Sequence, residues 1–545
     1  MLNDMRRAEY SIVAGSNRRS APNFKRKESV HPDERVSVTV RVRRRRRRHG
    51  SRELPGLDYW HNKYARQSEN KLKTLSRKEF VDNYGAGQSD IDKVVEFAHL
   101  HGLIVESVSL PRRYVILSGS AAQMNGAFGV DLGHFESADS SYRGREGHIY
   151  IPNRLADIID GVFGLDNRQM ARRAAGGGGA SYLTPPHVAQ LYNFPSGQGA
   201  SGQTIGLLQF GRCGYQLVDI QQYFNAPGFT VPSLTDVSIN GASNAPGIDS
   251  NADAEVTADI DVAGSVAQGA AIAVYFSTWD EQGWVQAVSA AVHPEPGQPK
   301  PSVLSISWVW PELSAANSAG GVQWTSAAIK AVSEIFQEAA ALTEGLTILA
   351  SSGDWGSDCG VGNTSAHVCY PASDPWVTAC GGTTIPSVTG LLPIEQTWSG
   401  GQGATGGGIS NVFPVPPWQA IAGLPASVNP DQPPGRGIPD IAGYVGPYSI
   451  LLGGTYTPVL GTSVTAPFYA GLVSLLNASM NRHVGYLNPL LYKMAGSDVF
   501  RDINDGINNS FHGSLGYTSG PGWDACTGLG SVDGRSLLNA LKSNF

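Results

Sequence analysis

Cysteine, long apolar runs and, over most of the chain, basic residues are all scarce, and each scarcity removes a class of function. The 545 residues hold five cysteines, at 213, 359, 369, 380 and 526, with no Cys-x-x-Cys pair and no clustered Cys/His spacing. Zinc and iron–sulfur sites of the usual kind are therefore not expected. No stretch of 18 or more apolar residues occurs, so no membrane-spanning helix is expected. MLNDMRRAEYSIVAGSNRRS lacks the continuous apolar core of an export signal. From Gly176 onward there are 9 Lys and Arg against 25 Asp and Glu, a balance of −16; residues 1–175 carry 31 against 21, or +10. A basic leader thus precedes an acidic body. The run Arg43–Arg48 has no aromatic platform or base-reading motif beside it, so nucleic-acid binding is not expected. An acidic body with few cations also avoids strong self-repulsion when acid protonates its carboxylates.

Histidine is thin as well. The acidic part has only His187, His293, His367, His483 and His512, none in a His-Gly-Thr setting and none spaced to pair with an Asp on a helix. Each reads as a surface or satisfied core residue. Carboxylates and a hydroxyl are present instead. Glu255 and Asp259 in DAEVTADIDVAG lie four apart on a segment that reads as helix, so they share a face. Ser463 in LGTSVTAP follows a glycine turn and opens an apolar helical run. A hydroxyl nucleophile needs a base, and with no suitable histidine the base would be a carboxylate, in a serine peptidase working in acid. Val303–Trp308 and Leu346–Ser352 read as apolar strands, the second running into Gly353-Asp354-Trp355-Gly356. An acid at the carboxyl end of a parallel strand is where open α/β folds place chemistry.

The motifs AEVTADIDVAGSVAQGA, SVLSISW, SSGDWGS, CGGTT, TGGGIS, GRGIPDIAG, GTSVTAP, GYLNP and GPGWDACTGLGS follow one another over residues 180–545. In that order they resemble the sedolisin, or serine-carboxyl peptidase, family, most of all its kumamolisin-like bacterial members. The region before them resembles the family's pro-domain. The resemblance implies Ser463 as nucleophile, Glu255 as general base, Asp259 orienting Glu255 and sharing a proton with it, and Asp354 as the oxyanion-site acid. It also implies one structural Ca²⁺, held by the side chains of Asp502 and Asp524 and the backbone oxygens of Ile503, Gly520 and Gly522. Hard oxygen donors in a turn-rich loop suit that ion.

The chemistry is coherent. A carboxylate accepts a serine proton only if its pKa rises toward the working pH, and two adjacent acids titrate as a unit with one step pushed up. A protonated Asp354 can donate to a developing oxyanion, whereas an ionised one would repel it. Two departures from the family pattern stand out. Leu460 replaces the small residue usual before Gly-Thr-Ser. The stretch GRCGYQLVDI offers Gln216 and Leu217 where related enzymes extend the proton relay with a glutamate, although Trp308, which would bridge it, is present. A shortened relay is expected.

The organisation expected is a disordered segment 1–30, an α+β ferredoxin-like pro-domain 31–168, an exposed activation linker 169–182, and a catalytic domain 183–545. The last is α/β, a subtilisin-like doubly wound, mainly parallel sheet. CGVGNTSAHVC, bounded by Cys359 and Cys369, suits a short-loop disulfide or two free thiols, the disulfide being preferred; Cys380 and Cys526 read as buried thiols. The function expected is a secreted, monomeric endopeptidase made as a zymogen and acting on proteins and peptides. Its own pro-domain would cover the cleft as intramolecular inhibitor and chaperone, with no membrane or nucleic-acid partner. A tripeptidyl exopeptidase, or an inactive binding protein on the same scaffold, is the alternative.

Overall fold

The computed structural model describes residues 9–21, 23–45, 53–65, 74–138, 140–173, 183–197, 199–312, 324–389 and 392–544. Most of the expected linker, residues 174–182, lies outside the described residues. The acidic part is built on one large sheet. Its order is Leu234–Ser238, Ala271–Ser277, Thr204–Phe210, Val303–Ile306, Thr347–Ser351, Thr378–Thr389 and Leu392–Thr397, with Ile441–Tyr444 also pairing with Thr378–Thr389. Every pairing is parallel except that of Leu392–Thr397. Central strands such as TIGLLQF and TILAS are almost wholly buried, as continuous apolar runs must be when helices cover both faces. The expected doubly wound α/β fold is present.

Two helices crossing this sheet matter most. Ser250–Val266 starts at Asp249, whose side chain accepts from the N–H groups of Asn251 and Ala252, satisfying donors that the helix leaves unpaired. Thr462–Met480 is buried along nearly its whole length and packs against Ser250–Val266. Thr462–Met480 is apolar or small on almost every side, the pattern of an interior helix, whereas Ser250–Val266 also buries four acidic side chains.

The leader forms a four-stranded antiparallel sheet in the order Ile104–Ser109, Tyr114–Ser120, Arg35–Val42, Ile159–Phe163. With helices Arg77–Tyr84, Gln88–Leu100 and Ala121–Phe128 this is the expected ferredoxin-like plait. Ser76 with Glu79, and Ser120 with Gln123, close reciprocal caps on two of those helices.

Two expectations are corrected. The segment 1–30 is not disordered over its described part: Tyr10–Ile12 pairs with Tyr150–Pro152, and Lys25–Ser29 pairs with Gly133–Glu136. Every residue of Lys25–Ser29 is exposed, so polar composition carries no sign of a strand that main-chain hydrogen bonds to a sheet edge hold in place. Among the described residues, the body of the leader also does not cover the cleft. Its sheet rests on helices Glu281–Val292 and Ser326–Ala341. Thr39 Oγ1 accepts from Gln282 and Gln286 (3.1 and 2.7 Å), and Arg41 and Arg113 reach Glu334 (3.2 and 2.7 Å). Within the described residues, only the tail at Met170–Arg173 enters the acidic part near its chemistry.

Candidate active site

Ser463 is the second residue of its helix and lies four before Pro467. A proline has no N–H, so the Ser463 carbonyl loses the partner that a helix would normally give it. The Ser307 hydroxyl supplies the replacement, donating to that oxygen at 2.9 Å. Ser307 Oγ also lies 2.7 Å from Asp259 Oδ1. One hydroxyl carries one proton, and a carbonyl can only accept. Both contacts are therefore satisfied together when Asp259 holds a proton and donates to Ser307. Asp259 Oδ2 accepts from Gln209 Nε2 at 2.6 Å, and the Trp308 indole donates to Gln209 Oε1 at 2.9 Å.

Asp259 is fully buried, and burial pushes its carboxyl up to about 7, against the pull of the Gln209 donor. Glu255, one helical turn away on the same face, is also buried. The relay of Trp308, Gln209 and Asp259 is shorter than a chain of carboxyl groups. It runs through the strand residue Gln209, not through Gln216 or Leu217. An amide holds Asp259 in place but does not pass on a proton.

Asp354 stands just past the end of strand Thr347–Ser351, as its sequence context predicts. Its Oδ1 accepts from both the N–H and the hydroxyl of Thr462, each at 2.7 Å, so a proton on this carboxyl sits on Oδ2. The approach depends on Gly461, which has φ of +151°; a Cβ there would lie 2.2 Å from Asp354 Oδ2. Leu460, the departure before this glycine, is accommodated in a small apolar cluster with Trp398 and Val445.

The histidines are engaged elsewhere. His293 faces Glu338 at 2.9 Å, His367 faces Asn363 at 2.9 Å, and His512 lies 3.8 Å from Asp358. Among the described residues, no histidine hydrogen-bonds Ser463. Cys359 and Cys369 form the preferred disulfide, while Cys213, Cys380 and Cys526 are buried thiols.

The five expected calcium positions lie on two segments that meet. Gly522 N–H donates to Asp502 (2.9 Å), Gly520 N–H donates to Asp524 (3.2 Å), and Thr527 Oγ1 is 3.5 Å from the Ile503 carbonyl. Among the described residues, no group of three or more His, Cys, Asp or Glu side chains gathers there or elsewhere. Any cation would depend on two carboxylates and backbone oxygens, a donor set that fits Ca²⁺ and does not fit a transition metal.

Reading the sequence does not single out Gln209 or Ser307. For Ser307 a signal exists: the Pro467 that orphans the Ser463 carbonyl calls for a donor on a neighbouring strand.

A buried acid pair coupled to a helix-borne serine, on a parallel sheet and with no histidine base, defines a serine-carboxyl peptidase. Residues 22–168 match the pro-kumamolisin activation domain. The chain is 40% identical to kumamolisin of a Bacillus species over 97% of this chain and 96% of that protein. It is 31% identical to a tripeptidyl-peptidase of Aspergillus fumigatus over 97% of each. The solved structure of Pseudomonas sedolisin, complexed with two molecules of pseudo-iodotyrostatin, superposes with a TM-score of 0.56 at 26% identity, covering 67% of this chain and all of that one. The chain belongs to the sedolisin family of serine-carboxyl peptidases and carries a pro-domain of the kumamolisin type.

Proposed function

We propose that the protein is an acid-acting endopeptidase made as a zymogen, with Ser463 as nucleophile, Glu255 as its base, Asp259 as the proton-sharing partner and Asp354 as the oxyanion acid. The observation that carries this reading is Ser307, whose hydroxyl joins the Asp259 carboxyl to the Ser463 carbonyl in one buried unit. Ser463 Oγ attacks the scissile carbonyl carbon as its proton passes to Glu255. The oxyanion that forms accepts from the proton-bearing Asp354 Oδ2. Glu255 then protonates the departing amine, leaving an acyl group on Ser463. Water, deprotonated by Glu255, releases the acid and restores the serine.

The course of the leader's tail favours endo-action. Met170 N–H donates to the Trp279 carbonyl, and the Trp284 indole donates to the Met170 carbonyl. Arg172–Arg173 then pairs with Trp308–Pro311. The cleft wall thus holds a chain that continues upstream into a whole domain, as it would hold the interior of a protein substrate. Met170 and Ala171 are fully buried, so the activating cut falls after Arg172, within 173–181.

Asp502, Asp524 and the backbone oxygens of Ile503, Gly520 and Gly522 would hold one Ca²⁺. That ion would tie the C-terminal loops together and takes no part in the reaction. Export from the cell fits an acid-acting zymogen with a disulfide. The test is digestion of a denatured protein in acid, with Ser463→Ala as control and product lengths read by mass spectrometry. Internal fragments of mixed length support endo-action; a ladder of released tripeptides supports the tripeptidyl reading that the Aspergillus relative's name suggests.

A further inference from the structure

Arg172 is the one cation that the leader's tail carries into the cleft with a fully described environment. Its backbone lies opposite Val309 in an antiparallel pair, and Arg173 lies opposite Trp308. That strand begins one residue beyond Ser307, so the tail is held against the cleft wall as an added strand, the way extended peptides are bound.

The Arg172 guanidinium is enclosed. It lies 4.3 Å from the centre of the Trp355 ring and 5.4 Å from that of Trp310. Its two terminal nitrogens donate to the carbonyls of Cys359 and Gly360, the latter at 3.2 Å. Burial brings the Arg172 guanidinium down to about 10, and the fully buried Asp358 carboxylate, which accepts from Gly362 N–H, offsets part of that cost. Gly360 leaves the necessary room: at φ of +64°, a Cβ on it would sit 2.4 Å from both terminal nitrogens of Arg172. The Cys359–Cys369 disulfide closes the loop that presents these carbonyls.

These features belong to the acidic body, not to the leader, and they remain when the leader is cut away. We propose that the loop from Trp355 to Cys369, with Trp310, is a subsite for the arginine side chain of a peptide substrate, filled by Arg172 in the zymogen. The proposal rests on the chain being a peptidase and adds which side chain its cleft selects. Two carbonyls side by side suit a planar guanidinium that donates from two nitrogens, and the tryptophan faces suit its stacking. A lysine ammonium meets the carbonyls less well, and an uncharged side chain forgoes the attraction of Asp358 and of the rings.

The test uses the matured enzyme and peptides copying residues 168–181, with Arg172 kept, or replaced by lysine, citrulline or alanine. Citrulline keeps the shape and removes the charge, so no protein variant is needed for this arm. The arginine peptide is expected to have kcat/KM about tenfold or more above the citrulline peptide, with lysine between. In Gly360→Ala and Trp310→Leu the ratio of arginine to citrulline kcat/KM should shrink toward unity. Equal kcat/KM for arginine and citrulline in the unaltered enzyme overturns the proposal, as does a full preference surviving in both variants. Failure to cut the linker peptides by a preparation that digests denatured protein overturns it too. Failure on every substrate instead sinks the peptidase reading itself.

Discussion

Two clusters of buried carboxyl groups in this chain behave in opposite ways. In the active site, Asp259 is surrounded by Ser307, Gln209 and the Trp308 indole beyond, all neutral, and burial raises it to about 7. Between leader and body, Glu334 and Glu338 face Arg41, Arg44 and Arg113. Burial alone would raise Glu334 too, but those guanidinium groups outweigh it and bring it down to about 2; Glu338 is held lower still by Arg113, His293 and Arg44. The same burial thus stores a proton in one place and excludes it from the other. The sign depends on whether the neighbours are cations.

The consequence for activation follows from the sign of each shift. Asp259, raised above its ordinary value near 3.9, contributes stability that is complete below that value and is lost as pH rises through about 7. Glu334, lowered, contributes stability that is complete above its ordinary value near 4.3 and is lost as pH falls through about 2. A move from neutral pH to about pH 4 therefore changes the active site and leaves this ion cluster largely charged. Simple loosening of leader from body by charge neutralisation does not begin at this cluster. Acid enables the cut first; separation comes after it.

The largest expected effect tests the active-site half of this contrast. Glu255→Gln should keep the fold and lose about 10²–10⁴-fold in kcat, since an amide cannot take the serine proton; near-normal turnover would remove Glu255 from its role. Next is the cation half. Arg113→Met strands Glu334 and Glu338 without their main partner and should cost about 3–5 kcal/mol of leader–body stability, read by denaturant unfolding at neutral pH. In the unaltered protein, a leader severed at the linker should stay bound in gel filtration at about pH 4 and come off as pH approaches about 2. Release already complete at the higher of these values would contradict the assignment of this cluster as the lock.

A third site, with the buried Asp524 and the exposed Asp502, extends the comparison to a metal. If Asp502 and Asp524 hold Ca²⁺, chelation should lower stability by about 3–4 kcal/mol relative to calcium at roughly 100 to 1,000 times its Kd, seen as a lower Tm. An unchanged Tm in protein shown to be metal-free would rule the ion out as structural. The smallest effect sharpens the active site itself. Gln209→Leu removes one donor to Asp259, raises that carboxyl further, and should move the neutral-side limb of the kcat profile upward on the order of one pH unit. An unmoved limb would mean that Asp259 does not set it.

Much of this arrangement is legible in the sequence. The i, i+4 spacing of Glu255 and Asp259, the glycine turn at Ser463 and the strand-end position of Asp354 are local patterns, and all of them fall on the expected elements. What is not legible depends on contacts across the sheet. Gln209 and Ser307 sit in apolar strands where a lone polar residue has no distinctive signal, and only strand order brings them to Asp259. Arg43, Arg44 and Arg45 read as a basic run. In the fold, Arg43 grips Asp90, Arg44 reaches Glu338, and Arg45 meets backbone carbonyls. The cradle of Arg172 is invisible for the same reason, since Trp310 lies on one strand and Trp355 and Gly360 follow another, and only the fold brings them together.

The most direct measurement follows purified full-length protein from neutral pH to about pH 4, near the ordinary carboxylate values, alongside Ser463→Ala, with the new amino terminus sequenced over time. The unaltered protein is expected to be cut between residues 173 and 181 and to become active, while Ser463→Ala stays full length with its leader bound. Maturation of Ser463→Ala at the same rate, with no other protease present, would contradict self-cleavage by this serine.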